Sequence, residues 1–148
     1  MTVTRKLSEK KVHKIVANLN KEVDCLIQKG VTIFLSGGVL GFDQIAASLI
    51  ISKKQKGVNI RLIFALPCRN QEEKWTTRQK QQYNSLLLEA DEVRCISEDY
   101  GPDCMEKRNR YMVDNSDYCI VLTNRISGLG KTVRYAEEKG ISIINVAQ

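Results

Sequence analysis

Histidine is almost missing from this sequence, since His13 is the only one among 148 residues. The five cysteines are odd in number and include no Cys-x-x-Cys pair, so they lack the spacing of a zinc site or a disulfide framework. Cys68 and Cys104 fall in predicted loops, and neither has a histidine nearby to activate it. The sequence therefore indicates no metal site, no catalytic residue and no cofactor chemistry.

Long apolar runs are missing too. No stretch reaches the length of a membrane-spanning helix, and no signal peptide opens the chain. Unpaired cysteines are typical of a reducing compartment, so we expect a cytoplasmic protein without a membrane partner. The sequence also contains no repeat, no low-complexity stretch and no linker. It therefore predicts one domain over residues 1–148.

What the chain does have is positive charge. The formal net charge is +6, and hydrophobic residues make up 43% of the sequence, enough for a folded core. A positive balance favours anionic partners, whether nucleotides, nucleic acid or acidic proteins. One face of the first predicted helix carries Lys10, Lys11, Lys14 and Lys21. That face is either simply solvated or a contact surface for nucleic acid.

Apolar segments of strand and helix type alternate along the chain. We predict a helix from Ser8 to Lys29, ended by Gly30, and a short first strand at Met1–Thr4. Further strands are predicted at 31–35, 60–66, 92–96, 118–122 and 141–146, with helices between them. This order indicates a single α/β Rossmann-like domain, whose mostly parallel sheet has helices on both faces. Ligands in such folds bind outside the carboxyl ends of the strands.

A glycine-rich turn lies between the strand at 31–35 and the helix that follows it. It contains Ser36, Gly37, Gly38, Gly41 and Asp43. Glycine gives a phosphate room to approach the backbone, and the start of a helix favours an anion. Alternatively, this is a tight turn in which Asp43 caps the helix. The turn is neither a P-loop nor a complete G-x-G-x-x-G fingerprint.

Other polar residues follow strands at the same predicted edge. A second glycine-rich turn contains Ser127, Gly128, Gly130 and Thr132. Arg108 and Arg110 lie two residues apart in a predicted helix, a spacing of about 200° around the axis, so only one of them can face the site. Trp75 would either stack on a base or pack against the core.

Several of these stretches together resemble the SLOG superfamily, a Rossmann-like group that includes DNA-processing protein A and the Lonely Guy phosphoribohydrolases. The resemblance is closest to a small single-domain bacterial and phage branch of unknown function. The matching stretches occur in family order from residue 31 to the end of the chain: 36–43, 65–68 with Gln71 and Trp75, 101–105, 108–114 and 132–136.

The resemblance implies a pocket for a nucleotide-derived ligand such as ADP-ribose, an NAD-like dinucleotide or a cyclic nucleotide. It places the two glycine turns around phosphates, with Arg108 and Asn109 beside them. The protein would then be a sensor or a sequestering module, either alone or as a homo-oligomer. Members of the branch usually begin with a strand and Thr-Gly-His-Arg, whereas here Arg5 follows Thr4 directly, so one corner of the pocket differs.

Two other functions remain open. Phosphoribohydrolases of the Lonely Guy type carry a catalytic glutamate where this sequence has Arg134, and Asp43 or Glu106 would have to replace it. The second alternative is single-stranded DNA binding, as in DNA-processing protein A. The net charge, the lysine face and the Arg-Asn-Arg sequence favour it. We rank both below non-catalytic nucleotide binding.

Overall fold

The computed structural model describes residues 9–98, 101–122 and 130–147. The predicted strand at Met1–Thr4, the predicted cap Ser8 and the turn residues Ser127 and Gly128 lie outside them. Helices and strands alternate, as the sequence predicts. Their order is α1 (Glu9–Gln28), β1 (Ile33–Ser36), α2 (Phe42–Gln55), β2 (Arg61–Leu66), α3 (Thr77–Glu89), β3 (Glu92–Cys95), α4 (Cys104–Asp114), β4 (Tyr118–Val121), α5 (Gly130–Glu138) and β5 (Ser142–Asn145).

All strand pairs are parallel, which confirms the α/β Rossmann-like class. β1 pairs with β2 from Ile33↔Arg61, and β2 pairs with β3 from Ile63↔Glu92. β4 pairs with β5 from Tyr118↔Ser142. Within the described part of the chain, the strands thus form a three-stranded group, β1-β2-β3, and a two-stranded group, β4-β5.

The core is built on β2 and on the apolar stripe of α1. In β2 every residue after Arg61 is buried, as expected for a continuous apolar strand with neighbours on both sides. In α1 the buried residues recur at three- and four-residue steps: Ile15, Leu19, Val23 and Leu26. Burying each such side chain contributes about 1.5–3 kcal/mol. α1 is tied to α2 by Lys53, whose Nζ donates to Asn20 Oδ1 at 2.5 Å and to Asp24 Oδ1 at 2.7 Å.

Two helix boundaries follow from local chemistry. Gly30 has φ +98° just after α1, the conformation predicted for the residue that ends this helix. Thr76 caps α3, because its side chain accepts from the Gln79 N–H while Gln79 Oε1 accepts from the Thr76 N–H. α3 buries little beyond Tyr83, as its polar sequence predicts.

β3 is one of the two end strands of the three-stranded group, and two of its four side chains are charged. Arg94 Nε donates to Glu92 Oε1 at 2.6 Å, and Arg61 Nη2 lies 3.9 Å from Glu92 Oε2. Val93 between them is 42% exposed. This edge is therefore polar, in contrast to the buried β2 next to it.

Candidate functional site

The glycine turn joins the carboxyl end of β1 to the first turn of α2. Ser36 organises it: its hydroxyl donates to the Asp43 carbonyl at 3.2 Å and accepts from the Gly38 N–H at 3.2 Å. Gln44 Nε2 donates to the Gly38 carbonyl at 3.1 Å. Gly38 and Gly41 have φ of +71° and +93°, which glycine adopts without strain. The turn is thus closed by its own hydrogen bonds.

Gly37 is a point of close approach between two buried charged side chains. A Cβ at this position would overlap the Arg108 guanidinium, with Cζ at 2.8 Å, and would lie 2.9 Å from Asp43 Oδ2. Its backbone also takes part, because the Gly37 carbonyl accepts from Arg108 Nη1 at 2.8 Å. Glycine is required at 37 because a side chain would displace this arginine or this aspartate.

Arg108 reaches the turn from α4 and is only 2% exposed. Besides Gly37, Nη1 contacts the Ala65 carbonyl on β2 at 3.4 Å, and Nε donates to Asn109 Oδ1 at 2.8 Å. Burial lowers the pKa of the guanidinium and nearby Asp43 opposes that shift, but arginine stays charged near neutrality. Arg108 therefore links the glycine turn, β2 and α4, and in this conformation it holds the turn rather than projecting into solvent.

The interpretation of Asp43 as the helix cap is wrong. Gly41 occupies the cap position, α2 begins at Phe42, and no side chain caps this helix. Asp43 lies within the first turn and is 2% exposed. Burial raises the pKa of this carboxyl, against the opposing effects of Arg108 and the Val39 backbone N–H. Within the described structure, Asp43 Oδ1 is buried without a hydrogen-bond partner.

The other side of the turn is closed by an amide and two aromatic rings. Gln71 Nε2 donates to the Gly37 carbonyl at 3.2 Å and to Tyr83 Oη at 2.8 Å. Burial raises the pKa of Tyr83 to about 12, although Gln71 opposes the shift. Trp75 meets Tyr83 edge to face, with ring centroids 5.0 Å apart. Of the two predictions for Trp75, the structure supports core packing.

Gly38 faces this wall. A Cβ there would lie 3.1 Å from Tyr83 Cε1, 3.3 Å from Gln71 Nε2 and 3.3 Å from a Leu66 methyl carbon. The hydrogen of Gly38 is therefore directed at side chains of the same chain, and both its positive φ and this packing favour glycine. The expected open approach for a phosphate is not found on that side of the turn.

Asn109 connects the cluster formed by Gly37, Asp43 and Arg108 to α5. Its Nδ2 donates to Thr132 Oγ1 at 3.2 Å, and both residues are half-buried. Gly130 is the first residue of α5. The structure thus brings Arg108, Asn109 and Thr132 together, while Ser127 and Gly128 lie outside the described residues.

Arg110 lies on the opposite side of α4 from Arg108, as their spacing predicts. Its Nη2 lies 3.1 Å from Glu106 Oε1, and its guanidinium carbon lies 5.1 Å from the centre of the Tyr135 ring. A cavity of about 310 Å³ lies on this outer side, between α4 and α5. Glu106 is therefore occupied with Arg110 and lies on the outer side of the helix.

A model of the YspA SLOG family matches residues 3–139 of this chain. The chain belongs to that family. It is 32% identical over 118 residues to the uncharacterized SPbeta prophage-derived protein YoqJ of Bacillus subtilis, covering 71% of this SLOG protein and 69% of YoqJ. It is 34% identical over 104 residues to UPF0398 protein BH1768 of Halalkalibacterium halodurans, covering 69% of this chain and 55% of that one. UPF0398 protein YpsA of Bacillus subtilis is 24% identical over 119 residues, 79% of this chain and 66% of YpsA.

Two residues of the cluster in this SLOG protein were not predicted from the sequence as site residues. Tyr83 lies on α3 and bonds Gln71, and the Ala65 carbonyl belongs to the apolar part of β2. Tyr83 could have been suspected, because it is the one aromatic residue in a helix with few apolar positions. A backbone acceptor such as Ala65 leaves no signal in the sequence.

No group of three or more His, Cys, Asp or Glu side chains among the described residues could hold a metal ion. No helix within the same residues combines the length and apolar character needed to cross a membrane.

Proposed function

We propose that this SLOG protein binds a nucleotide-derived phosphorylated ligand at the carboxyl ends of β1 and β2, as a sensor or a sequestering protein. ADP-ribose, NAD-like dinucleotides and cyclic nucleotides are the candidate ligands. The observation that carries the proposal is the buried Asp43 carboxyl at the glycine turn near Arg108, one oxygen of which has no hydrogen-bond partner among the described residues. The large majority of buried polar side-chain atoms in proteins have a hydrogen-bond partner, so this oxygen is a place where a donor of a ligand would fit.

A nucleotide suits the chemistry of this edge. The ribose hydroxyls and the exocyclic amine of adenine are hydrogen-bond donors, which an unpartnered carboxyl oxygen can accept. α2, α4 and α5 all follow strands of parallel sheets, so they begin at the carboxyl edge, and helix starts favour phosphate. The net charge of +6 adds a general attraction for anions.

Calorimetric titration with ADP-ribose, NAD and cyclic AMP tests the proposal. Asn109→Ala removes the amide that joins α4 to Thr132, and we expect it to weaken binding roughly ten- to a hundredfold if the phosphate is held there. The matched control is Asn115→Ala, the same residue type at the far end of α4, where its Nδ2 donates to the Tyr111 carbonyl. Equal losses in both variants, or no binding of any of the three ligands, would count against the proposal.

Hydrolysis of an N-glycosidic bond is the second candidate, and one observation favours it. Burial raises the pKa of Asp43, and a carboxylate with a raised pKa is a stronger base. Against it stand the pairing of Glu106 with Arg110 and the exposed Arg134 on α5. We expect no sustained release of free base from AMP. Turnover that disappears in Asp43→Asn would establish the hydrolase instead.

The salt dependence of the affinity distinguishes DNA binding from nucleotide binding and from hydrolysis. A protein that neutralises several phosphates releases counterions, so its affinity falls steeply and linearly on a log–log plot against salt concentration. We expect a single-stranded oligonucleotide to bind weakly, and the affinity for the small ligand to change little with salt. A steep salt slope together with tight oligonucleotide binding would favour DNA as the partner.

A further inference from the structure

Arg108 has one nitrogen that lacks a strong hydrogen-bond acceptor. Its Nη1 donates to the Gly37 and Ala65 carbonyls, and its Nε donates to Asn109 Oδ1. Among the described residues, Nη2 has only a sulfur atom as its partner, Met105 Sδ at 3.8 Å. A thioether is a weak acceptor. The Nη2 donor is therefore poorly satisfied, although Arg108 is 2% exposed and buried donors normally have a good partner.

Met105 reaches this nitrogen because of helix geometry. Residues three apart in a helix are neighbours on its surface, and Met105 precedes Arg108 by three positions in α4. The methionine lies in the first turn of this helix and is 40% exposed. It lies outside the apolar cluster that the described core residues form. Its sulfur thus contacts a buried cation, while the side chain stays accessible to small solutes.

An accessible thioether reacts with peroxides. The sulfur attacks one peroxide oxygen, and an S–O bond forms as the O–O bond breaks. The leaving hydroxide takes the proton of the transferred hydroxyl and becomes water, so the sulfur has lost two electrons and the peroxide has gained them. The product is methionine sulfoxide, a polar group that sulfoxide reductases convert back to methionine. Its oxygen accepts hydrogen bonds, as carbonyl oxygens do.

We propose that Met105 is a reversible oxidation site, at which the sulfoxide oxygen accepts a hydrogen bond from Arg108 Nη2. The oxygen is added to the atom that already contacts this nitrogen, and one of the two sulfoxide epimers directs it there. Oxidation of methionine commonly disrupts apolar packing, whereas here it satisfies a buried donor. The oxidised protein therefore holds Arg108 more firmly at the glycine turn. This inference rests on the contact between the two side chains and not on the proposed ligand.

Thermal unfolding of the full chain before and after treatment with hydrogen peroxide tests the proposal. Dithiothreitol is added after the peroxide to reduce oxidised cysteines. We expect the unfolding midpoint to rise by about 2–4 °C, the shift that one additional hydrogen bond to a charged group produces in a domain of this size. Met105→Leu is the control, because it keeps the apolar bulk without the sulfur, and the same treatment should not raise its midpoint. Peptide mass spectrometry should show Met105 oxidised faster than the half-buried Met112.

Met105→Gln imitates the sulfoxide without an oxidant. Its amide carbon takes the place of the sulfur, and its Oε1 takes the place of the sulfoxide oxygen. Glutamine and leucine have similar helix propensities, so we expect Met105→Gln to unfold about 2–4 °C above Met105→Leu because of the added acceptor. The same two substitutions at Met112 are the matched control. There the order should be reversed, because an amide at a half-buried position loses apolar burial.

Three results would overturn the proposal. The first is an oxidised parent protein whose midpoint falls, or shifts no more than that of treated Met105→Leu. The second is a Met105→Gln variant that unfolds at or below the midpoint of Met105→Leu. The third is oxidation of Met105 no faster than that of Met112, since the sulfur would then be closed to peroxide.

Discussion

Arg108 and Arg110 are two residues apart in α4, yet their surroundings have almost nothing in common. Arg108 is 2% exposed and bonds to backbone carbonyls of the glycine turn and β2, whereas the side chain of Arg110 is 58% exposed and pairs with Glu106. In the sequence the two arginines belong to the same short segment, Arg-Asn-Arg. The comparison shows that burial, rather than residue type, makes a charge part of the architecture.

Replacing the buried Arg108 should have the largest effect on the free energy of unfolding. Arg108→Met keeps much of the side-chain length but leaves Asp43 without its neighbouring charge and the Gly37 carbonyl without its donor. We expect a loss of about 3–5 kcal/mol in the free energy of unfolding. Urea denaturation measures it, with Arg110→Met as the control. The double variant Arg108→Met/Asp43→Asn should recover part of the loss, and a purely additive result would contradict the coupling of the two charges.

Three glycine variants distinguish the cost of close packing from the cost of backbone strain. In Gly37→Ala the added Cβ would overlap Arg108 and Asp43. Gly57 has φ +94°, but nothing lies within 4 Å of a Cβ added there. Gly38→Ala combines a positive φ with three close side chains. We expect Gly57→Ala to cost about 1–2 kcal/mol and Gly38→Ala about 1 kcal/mol more. Urea unfolding that gives equal values for these two would remove packing as a reason for Gly38.

The pH dependence of stability tests the carboxyl beside Arg108. Because the pKa of Asp43 is raised in the folded state, its stabilising contribution is complete below the ordinary value of 3.8 and is lost as pH rises through the folded pKa. Asp43→Asn should abolish that loss. Asp91→Asn is the control of opposite sign: a hydrogen bond from Lys54 lowers the pKa of Asp91, so its contribution is lost as pH falls. Urea unfolding of the three proteins across a pH series decides it.

Replacing the exposed Arg110 should have the smallest effect on the free energy of unfolding. Arg110→Ala breaks an exposed ion pair with Glu106 and a stacking contact with Tyr135, and we expect a change of no more than about 0.5 kcal/mol. It should also weaken ligand binding less than Asn109→Ala does. Urea unfolding at low and high salt is the measurement. A loss comparable to that of Arg108→Met would mean that the outer side of α4 is also structural.

Local sequence was enough to predict most helices and strands. β2 is a continuous apolar run, and the stripe of α1 has helical spacing, so both could be recognised without knowledge of their neighbours. The opposite directions of Arg108 and Arg110 followed from helix geometry alone. These predictions succeeded because each depends on residues a few positions apart.

Non-local contacts explain what could not be predicted. The grouping of five strands into β1-β2-β3 and β4-β5 depends on pairing between distant segments. Asp43 was misassigned because α2 begins at Phe42, two residues earlier than a cap at Asp43 would require. The burial of the Asp43 carboxyl near Arg108 of α4 is also a non-local effect. Neither the burial of this pair nor the contact of Gly38 with Tyr83 can be inferred from spacing along the chain.

The charged outer edge of β3 bears on how copies of this protein behave at high concentration. A strand at the end of a sheet is a template on which another chain can add, and natural proteins discourage this with charge. Glu92 and Arg94 lie on either side of the exposed Val93, so a second β3 approaching edge to edge would have to desolvate both charges. This edge therefore resists sheet extension between molecules and protects the concentrated protein from ordered aggregation along β3.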